Sequence, residues 1–482
     1  MRWPYIAYVL GSLTLFFGLT MIVPLVVGLC YMDASIKPML ASMAVTITAG
    51  MLCFLFFRKA RAAQISQREG MAIVAAGWTA VSFFGALPFY LSDGGMIFVD
   101  AFFESVSGFT TTGSSILTDI EPLPRGLLFW RSYIQWLGGM GIIVLSVAIL
   151  PFLGVGGMQL YKAEVPSPVP DKLKPRIRDT AMVLWKVYAI ITIAEIILLL
   201  FGGMDLFDAT CHAFTTMPTG GFSPWNTSVA HFNSVYIDVV IVVFMILAGI
   251  NFSLHYQLFR GRPLAFWKDA ECRFFLATVV ILTLVVSWDV WGPIYRSAAE
   301  ALRYGAFQVV SIITTTGYAT ADYEQWPVMS QLILLLCMFI GASAGSTGGG
   351  MKCLRIMLCF KYCYRELFSM VHPRAVATIK IGGQVVPEDV MRSVLGFLML
   401  YIGLASLSFV LLAAVGVDFV TAIGSVAACI GNIGPGFGAV GPAENFAAIP
   451  QVGKWILIWC MLLGRLEVFT ILILFVPEFW RK

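Results

Sequence analysis

Charged residues are scarce in this chain of 482 residues: Asp, Glu, Lys and Arg together make up 12% of it, against about 25% in soluble domains. Hydrophobic residues make up 59%, and their continuous runs are long enough to cross a bilayer core of roughly 30 Å as helices. The short alternating segments typical of transmembrane β-barrels are lacking. The composition therefore predicts an all-α polytopic membrane protein.

Histidine is also rare, and cysteine is scattered, so the usual signs of a metal centre are missing. The four histidines form no cluster, and the ten cysteines contain no C-x-x-C pair. We expect the cysteines to pack as small buried hydrophobic side chains. Because an H-E-x-x-H motif and a nucleophile paired with a base are lacking too, the sequence does not predict an enzyme.

Positive charge occurs in blocks, at residues 58–68, 162–178, 260–273 and 352–392. The stretches between the blocks carry acidic residues: Asp93, Asp100, Glu104, Asp119, Glu121, Asp205 and Asp208. The positive-inside rule places the basic blocks in the cytoplasm and the acidic stretches outside. We therefore expect both termini in the cytoplasm, with membrane lipid and not nucleic acid beside the basic blocks.

One unit recurs four times after a leading pair of spans. Each unit has a spanning segment, a short half-apolar helix, a polar break and a second span. The breaks align on Gly113, Gly220, Gly317 and Gly434, and repetition at a fixed spacing is a fold-level signal. Residues 5–31 lack an evident cleavage site, so we expect a retained anchor. The predicted units are the leading pair at 1–69 and four pore repeats at 70–162, 178–262, 270–370 and 386–482.

The four breaks indicate one shared ion path. Irregular backbone at membrane depth is tolerated only where it is buried in protein or lines a wet cavity. Each short helix would direct its negative C-terminal end at the path, and carbonyls at the break could replace the hydration shell of potassium. Glycine permits the backbone conformations needed there. The predicted filter residues are Thr111, Thr112, Gly113, Pro218, Thr219, Gly220, Thr315, Thr316, Gly317, Asn432, Ile433 and Gly434.

The breaks are not identical. Met217-Pro218 stands in the second break where the first has two threonines, and the fourth has Asn432-Ile433 with no threonine. These side chains cannot form a fourfold ring of threonines. We therefore expect fewer well-formed ion sites than in a symmetric potassium channel.

Several longer stretches resemble a known family. They are WLGGMGIIVLSVAILPFLGVGGMQLYKAE at 136–164, GASAGSTGGGMK at 341–352, HPRAV at 372–376 and GRLEVFTILIL at 464–474. With the repeated helix–pore–helix units, they resemble the TrkH family in the TrkH/KtrB/HKT superfamily of potassium transport proteins. The resemblance implies four pseudo-symmetric M1-P-M2 pore repeats, a homodimer in the bacterial inner membrane, and a cytoplasmic TrkA-like nucleotide-binding regulatory ring. It also implies that glycine at 113, where serine is associated with sodium permeation, favours potassium.

Two features inside predicted spans are candidate gates. Six small residues interrupt the run 328–362: Gly345, Ser346, Thr347, Gly348, Gly349 and Gly350. Close helix packing through small residues is the alternative explanation. Arg465 lies in the run 452–476, where an arginine costs at least ~2.5–3.5 kcal/mol and usually faces the protein interior or water. The resemblance implies that the small residues form a loop obstructing the path beneath the filter, with Arg465 in the pore.

Other polar features have more ordinary explanations. Arg465 and Glu467 do not share a helix face, so an ion pair between them is not expected. Glu195 also lies inside a span, and we expect it to bond to a polar group of a neighbouring helix. The GFGAVG stretch at 436–441 follows no strand and GSTGGGMK lacks the Gly-Lys-Ser/Thr of a phosphate loop, so nucleotide sensing should belong to a partner.

These features together predict potassium uptake through a selective, gated pore controlled by a cytoplasmic nucleotide-binding partner. Potassium would bind at the filter carbonyls, and no organic cofactor is expected in the chain. A symporter coupling potassium to protons or sodium is the alternative, which Glu195 and Arg465 keep open. Symporter repeats are often inverted, whereas these repeats keep one orientation. A receptor or scaffold would not explain four such breaks.

Overall fold

The computed structural model describes residues 1–60, 66–148, 177–375 and 377–480. The predicted end of the first repeat at residue 162, and residues 162–176 of the second basic block, lie outside this part of the chain. The described residues are mostly helical, with one short two-stranded antiparallel hairpin. The all-α fold class is therefore confirmed.

The leading pair of helices forms as expected. Helices α1 (Trp3–Thr20) and α2 (Ile22–Tyr31) make one span, and α3 (Ile36–Phe57) returns beside α1. Gly11 and Gly50 bring the two backbones together, because a Cβ on Gly11 would come within 2.7 Å of the Phe54 amide nitrogen. Small residues allow this close approach of membrane helices.

Four helix–pore helix–helix units follow. The first has α4 (Gln67–Tyr90), α5 (Phe98–Phe109) and α6 (Arg125–Ala148), and the second has α7 (Ile177–Phe201), α8 (Leu206–Thr216) and α9 (Val235–Gly249), followed by α10 (Phe252–Phe259). Helix α11 (Ala265–Lys268) precedes the third unit, which has α12 (Ala270–Val290), α13 (Ala298–Ile313), α14 (Val328–Ile340) and α15 (Cys353–Val371). The hairpin of β1 (Lys380–Ile381) and β2 (Gln384–Val385) precedes the fourth, which has α16 (Glu388–Ala414), α17 (Phe419–Gly431), α18 (Gln451–Arg465), α19 (Phe469–Leu472) and α20 (Pro477–Trp480).

The units close into a ring. The second helix of each unit packs on the pore helix of the next: α6 on α8, α9 on α13, α14 on α17, and α18 back on α5. The pore helices are α5, α8, α13 and α17, and most of their side chains are buried. This cyclic order brings the four breaks to a common axis.

Two apolar runs are sharply bent. Run 235–259 turns by 103° between α9 and α10, where Asn251 caps the new helix by accepting a hydrogen bond from the Ser253 amide at 2.9 Å. Run 452–476 turns by 109° after α18, where Glu467 and Val468 have positive φ angles of 61° and 36°. Average hydropathy does not register such a local bend, so the sequence pattern does not reveal it.

The described helices are suited to a membrane. Six are long and apolar enough to cross one, and counting each bent pair as one span raises the number to eight. Large apolar side chains such as Phe16, Phe201 and Leu284 are exposed on the outer faces. Because lipid tails can cover such side chains, the chain is a multi-pass membrane protein.

Candidate ion pathway

The four breaks share one backbone conformation, and we name them filter strands 1 to 4. Each pore helix is followed by a non-glycine residue with positive φ: Thr111 at 51°, Thr219 at 58°, Thr315 at 61° and Asn432 at 54°. Two residues later comes a glycine with positive φ: Gly113 at 82°, Gly221 at 71°, Gly317 at 82° and Gly434 at 107°. L-residues rarely adopt positive φ angles. Because the same pattern of φ angles recurs in four different sequences, the four breaks have the same backbone conformation.

The structure corrects the predicted register of strand 2. We aligned Gly220 with Gly113, but the glycine equivalent to Gly113 is Gly221. The Gly220 amide bonds to the Thr215 carbonyl at 2.8 Å, as the Thr112 amide does to the Ser107 carbonyl. Two adjacent glycines made the sequence ambiguous here.

The corrected register also changes which side chains are equivalent. Pro218 now corresponds to Thr110, which precedes the predicted filter residues. The position of Thr111 is threonine in strands 1 to 3 and Asn432 in strand 4. At this position three of the four strands, including strand 2, therefore have threonine. Only strand 4, with Asn432, differs.

Each filter glycine packs against a carbonyl oxygen of the neighbouring strand. The glycine–carbonyl pairs are Gly113 with Gly220, Gly221 with Thr316, Gly317 with Ile433, and Gly434 with Thr112. A Cβ would overlap the facing oxygen in the first three pairs and would come within 3.0 Å of it in the last. A cavity of about 100 Å³ is lined by all four of these glycines. The strands therefore enclose one axis, with the cavity at one end.

Polar oxygens at the other end of the strands lack partners. The Thr111 hydroxyl and the Asn432 side-chain oxygen, at equivalent positions, are buried without a hydrogen bond in the described part of the chain. Buried polar atoms normally have a hydrogen-bond partner, and a bound water or ion is one explanation for an atom that lacks one. The four pore helices also end here, and their C-terminal dipoles favour positive charge. This arrangement is chemically suited to a desolvated monovalent cation.

A set of buried side chains, not anticipated from the sequence, supports the filter strands. Glu104, His212 and Gln308 each lie nine residues before a filter glycine. The Glu104 carboxylate accepts from the Ile116 amide at 3.1 Å, and the His212 ring lies 3.2 Å from the Ser223 hydroxyl. The Gln308 amide faces the backbone of residues 320–321. Their common spacing from the glycines was the available signal.

Two of those residues lie deeper in the protein than the sequence indicates. Glu104 belongs to a predicted outer acidic stretch, but it is buried and pairs with Arg131 at 2.8 Å. His212, which forms no cluster with the other histidines in the sequence, is fully buried on pore helix α8. Hydropathy assigns charged groups to water, whereas a buried ion pair satisfies both partners inside the protein.

A loop at residues 341–352 lies beneath the filter, at the end opposite the cavity. The Gly349 amide donates to the Thr315 hydroxyl at 2.7 Å, and the Thr347 hydroxyl donates to the Met217 carbonyl at 2.9 Å. A Cβ on Gly349 would overlap the Gly431 carbonyl at the start of strand 4. The predicted interruption of run 328–362 is therefore present, and it contacts three of the four strands.

Charged side chains hold this loop. Arg465, at the end of α18, is 2% exposed and donates to the Thr347 carbonyl at 2.7 Å and the Gly138 carbonyl at 3.3 Å. Glu467 pairs with Arg355 and not with Arg465, and Lys352 donates to the Gly348 carbonyl. Two buried cationic side chains, Arg465 and Lys352, therefore bond directly to backbone carbonyls of the loop.

Glu271 connects the two ends of the loop, and it was not anticipated. Its carboxylate accepts from the Ala344 amide at 2.6 Å and the Leu354 amide at 3.2 Å. Glu195 is fully buried on α7, and the polar side chain beside its carboxylate is that of Thr216 on the neighbouring pore helix α8.

The fold and this pathway define a class: a multi-pass membrane protein with four pore-loop units around one axis. A family model described as TrkH, cation transport protein, matches residues 36–482. The chain belongs to the TrkH family, as its motifs predicted.

Individual relatives agree over the whole length. The chain is 44% identical over 488 residues to the Trk system potassium uptake protein TrkH of Escherichia coli K12, with all of both chains covered. It is 41% identical over 477 residues to the same-named protein of Halomonas elongata, covering 98% of each. The crystal structure of the potassium transporter TrkH from Vibrio parahaemolyticus superposes with a TM-score of 0.93 at 40% identity, covering both chains completely. These relatives are transport proteins and not enzymes.

Proposed function

We propose that the chain takes up potassium through a selective, gated pore in the bacterial inner membrane. The observation that carries this proposal is the ring in which each filter glycine packs on a carbonyl of the next strand. Such a ring presents backbone oxygens in place of a hydration shell. The names of the relatives, potassium uptake proteins, support the choice of ion.

The proposed filter consists of the carbonyls around three consecutive residues in each strand: 111–113, 219–221, 315–317 and 432–434. The pore repeats retain the predicted boundaries, with potassium as the transported substrate. Rigidity is supported by the close packing of the glycines, which leaves no room for a Cβ. A filter held in this way can favour one cation by the number and spacing of its oxygens.

Changing Gly113 to Ser should raise sodium permeation relative to potassium. The added Cβ would overlap the Gly220 carbonyl, and the φ angle of 82° strains any L-residue by ~1–2 kcal/mol. Gly94→Ser is the matched control, since Gly94 has a φ of 76° with open space around it. Reversal potentials under bi-ionic conditions measure the ratio, and an unchanged ratio in well-folded Gly113→Ser would contradict the filter assignment.

The proposed gate is the 341–352 loop with Arg465. Its position against three strands and its bonds to Arg465 and Lys352 support an obstruction on the path. The alternative, a close-packed kink, is opposed by positive φ at Gly341, Gly345 and Gly350, which marks an extended irregular segment and not a kinked helix.

The gate is proposed to be controlled by a cytoplasmic nucleotide-binding regulatory ring. The chain is proposed to act as a homodimer with both termini in the cytoplasm. Helix α15 begins directly after the loop, so a force on it would reach the loop without an intervening joint. Large side chains along it, including Phe360, Tyr364 and Met370, are exposed. Contiguous exposed apolar surface is typical of interaction sites.

A pore and a symporter differ in their use of a proton gradient. Glu195 is the feature that keeps a symporter open, because a carboxylate buried inside a span could carry a proton. For a pore, we expect potassium uptake into liposomes to be the same with and without a pH gradient, in wild type and in Glu195→Gln. Unitary, ohmic currents in a planar bilayer would support the pore, and gradient-driven uptake lost in Glu195→Gln would establish coupling instead.

A further inference from the structure

We propose that Gln135 is a positioning residue that determines ion specificity by holding filter strand 2 from the neighbouring repeat. The inference rests on the proposed function, and it concerns a residue of α6 in the first repeat. Gln135 is fully buried, and its amide nitrogen donates to the Gly220 carbonyl at 2.8 Å. Its amide oxygen accepts from the Phe222 amide at 3.2 Å. The two bonds therefore bracket the filter glycine Gly221.

Strand 2 needs external support because it lacks a side chain where the other strands have one. At the position before the filter glycine, Thr112 and Thr316 bond through their hydroxyls to Thr110 at 2.7 Å and Thr314 at 2.9 Å. Strand 4 has the buried side chain of Ile433 at this position. Gly220, at this position in strand 2, has no side chain to form such a bond. Pro218 stands where strands 1 and 3 have the partner threonines Thr110 and Thr314.

The amide of Gln135 occupies the missing side chain's place. A Cβ built on Gly220 would overlap the side-chain amide of Gln135. Gly220 itself lies outside the left-handed region, so its backbone would accept an L-residue. The glycine is thus required by the space that Gln135 fills and not by its own conformation.

The same helix holds the strand at a second point one turn away. Arg131 donates to the Ser223 carbonyl at 3.1 Å and is fixed by its ion pair with Glu104. Residues four apart lie on one helix face. Consequently α6 contacts strand 2 at residues 220, 222 and 223, and the Gly220 carbonyl that it fixes is the one facing Gly113 of strand 1.

Loss of the Gln135 contact should lower the potassium-to-sodium permeability ratio more than it lowers the potassium flux. A filter discriminates through oxygen positions, and a freed strand between two glycines can adapt to the smaller sodium ion. In Gln135→Leu, which retains volume but not the two bonds, we expect the potassium-to-sodium permeability ratio to fall about three- to tenfold. Potassium or rubidium flux should remain within about threefold of wild type, whereas a merely structural defect would reduce both ions' fluxes alike.

A double variant tests the space argument directly. Gly220→Ala alone should lower the permeability ratio, because its Cβ collides with the Gln135 amide. In the Gln135→Ala background, the same substitution should cause no further fall, since the space is then open. Coupling of this kind is expected only between residues in contact. An equal cost of Gly220→Ala in both backgrounds would overturn the proposal.

The measurement uses the full chain in planar bilayers, with reversal potentials under bi-ionic potassium and sodium. Gln331→Leu is the matched control, because the Gln331 amide also makes two bonds, to the Glu324 carbonyl at 2.7 Å and the Trp326 carbonyl at 2.9 Å, away from the filter strands. Its ratio should equal that of wild type. If Gln135→Leu does not fold, Gln135→Glu, which retains the acceptor for Phe222 and loses the donor to Gly220, takes its place.

The outcomes separate this inference from the function on which it rests. A wild-type ratio in a folded Gln135→Leu or Gln135→Glu variant would overturn the role of Gln135 while leaving the potassium pore intact. Failure to conduct potassium both in the wild-type chain and in a folded variant lacking residues 346–348 would overturn the proposed function, and this inference with it. A lower potassium-to-sodium permeability ratio in Gln135→Leu, together with an unchanged ratio in Gln331→Leu, supports the positioning role of Gln135.

Discussion

Deletion of residues 346–348 is expected to produce a pore that conducts potassium without a regulatory partner. The deletion removes Thr347, whose hydroxyl bonds to the Met217 carbonyl and whose carbonyl accepts from Arg465 at 2.7 Å. It also removes the Gly348 carbonyl, to which Lys352 donates. Hydrogen bonds to charged groups contribute about 1.5–3 kcal/mol each, so losing two of them should shift the loop away from the filter by a large factor.

The size of the effect follows from the same free energies. A change of roughly 3 kcal/mol in the closed state corresponds to more than a hundredfold change in the closed-to-open ratio. We therefore expect rubidium uptake into liposomes holding the purified variant alone to exceed that of wild type by at least about tenfold.

The matched control removes three residues from a surface turn. Residues 93–95 are exposed and lie between α4 and pore helix α5, far along the chain from the loop. That deletion should leave uptake at the wild-type level. If the 346–348 variant is monodisperse and folded but takes up rubidium no faster than wild type, the loop is a packing element and not a gate.

The interruption at residues 341–352 could be predicted because small residues in an apolar run are a local signal. The fourfold unit was equally accessible, since each break is flanked by recognisable apolar segments. The register of strand 2 could not be predicted, because the sequence does not distinguish two adjacent glycines. Gly220 and Gly221 differ only in their φ angles and in their neighbours in the structure. The bends after Gly249 and Arg465 were missed for a related reason: hydropathy is averaged over more residues than a bend occupies.

Contacts between repeats were beyond sequence reasoning. Arg355 pairs with Glu467 across 112 residues, and Gln135 reaches Gly220 across 85. Nothing local in α6 distinguishes Gln135 from any other polar residue on a buried helix face. The polar residue behind a filter strand can come from the pore helix, as with Glu104, or from the preceding repeat, as with Gln135. Only the packing of the four units into a ring determines whether the pore helix or the preceding repeat supplies that polar residue.

Replacing Arg465 with Ala should increase potassium flux while leaving the potassium-to-sodium ratio nearly unchanged. The guanidinium is a fixed positive charge beside the loop under the filter. Two unit charges about 8 Å apart repel by ~2 kcal/mol at an effective dielectric constant of 20. Removing such a barrier corresponds to roughly a thirtyfold increase in rate. The ratio should persist because Arg465 bonds to the Thr347 and Gly138 carbonyls and to none of the filter residues.

Arg465→Lys is the matched control that separates charge from hydrogen bonding. Lysine retains the positive charge but lacks the planar fork that reaches two carbonyls at once. If repulsion sets the barrier, Arg465→Lys should conduct nearly as slowly as wild type and Arg465→Ala much faster. If the two bonds hold the loop closed, both variants should conduct faster. Rubidium uptake and bi-ionic reversal potentials on the purified proteins measure flux and ratio. A fall in flux in a folded Arg465→Ala protein would show that the arginine supports the path and does not obstruct it.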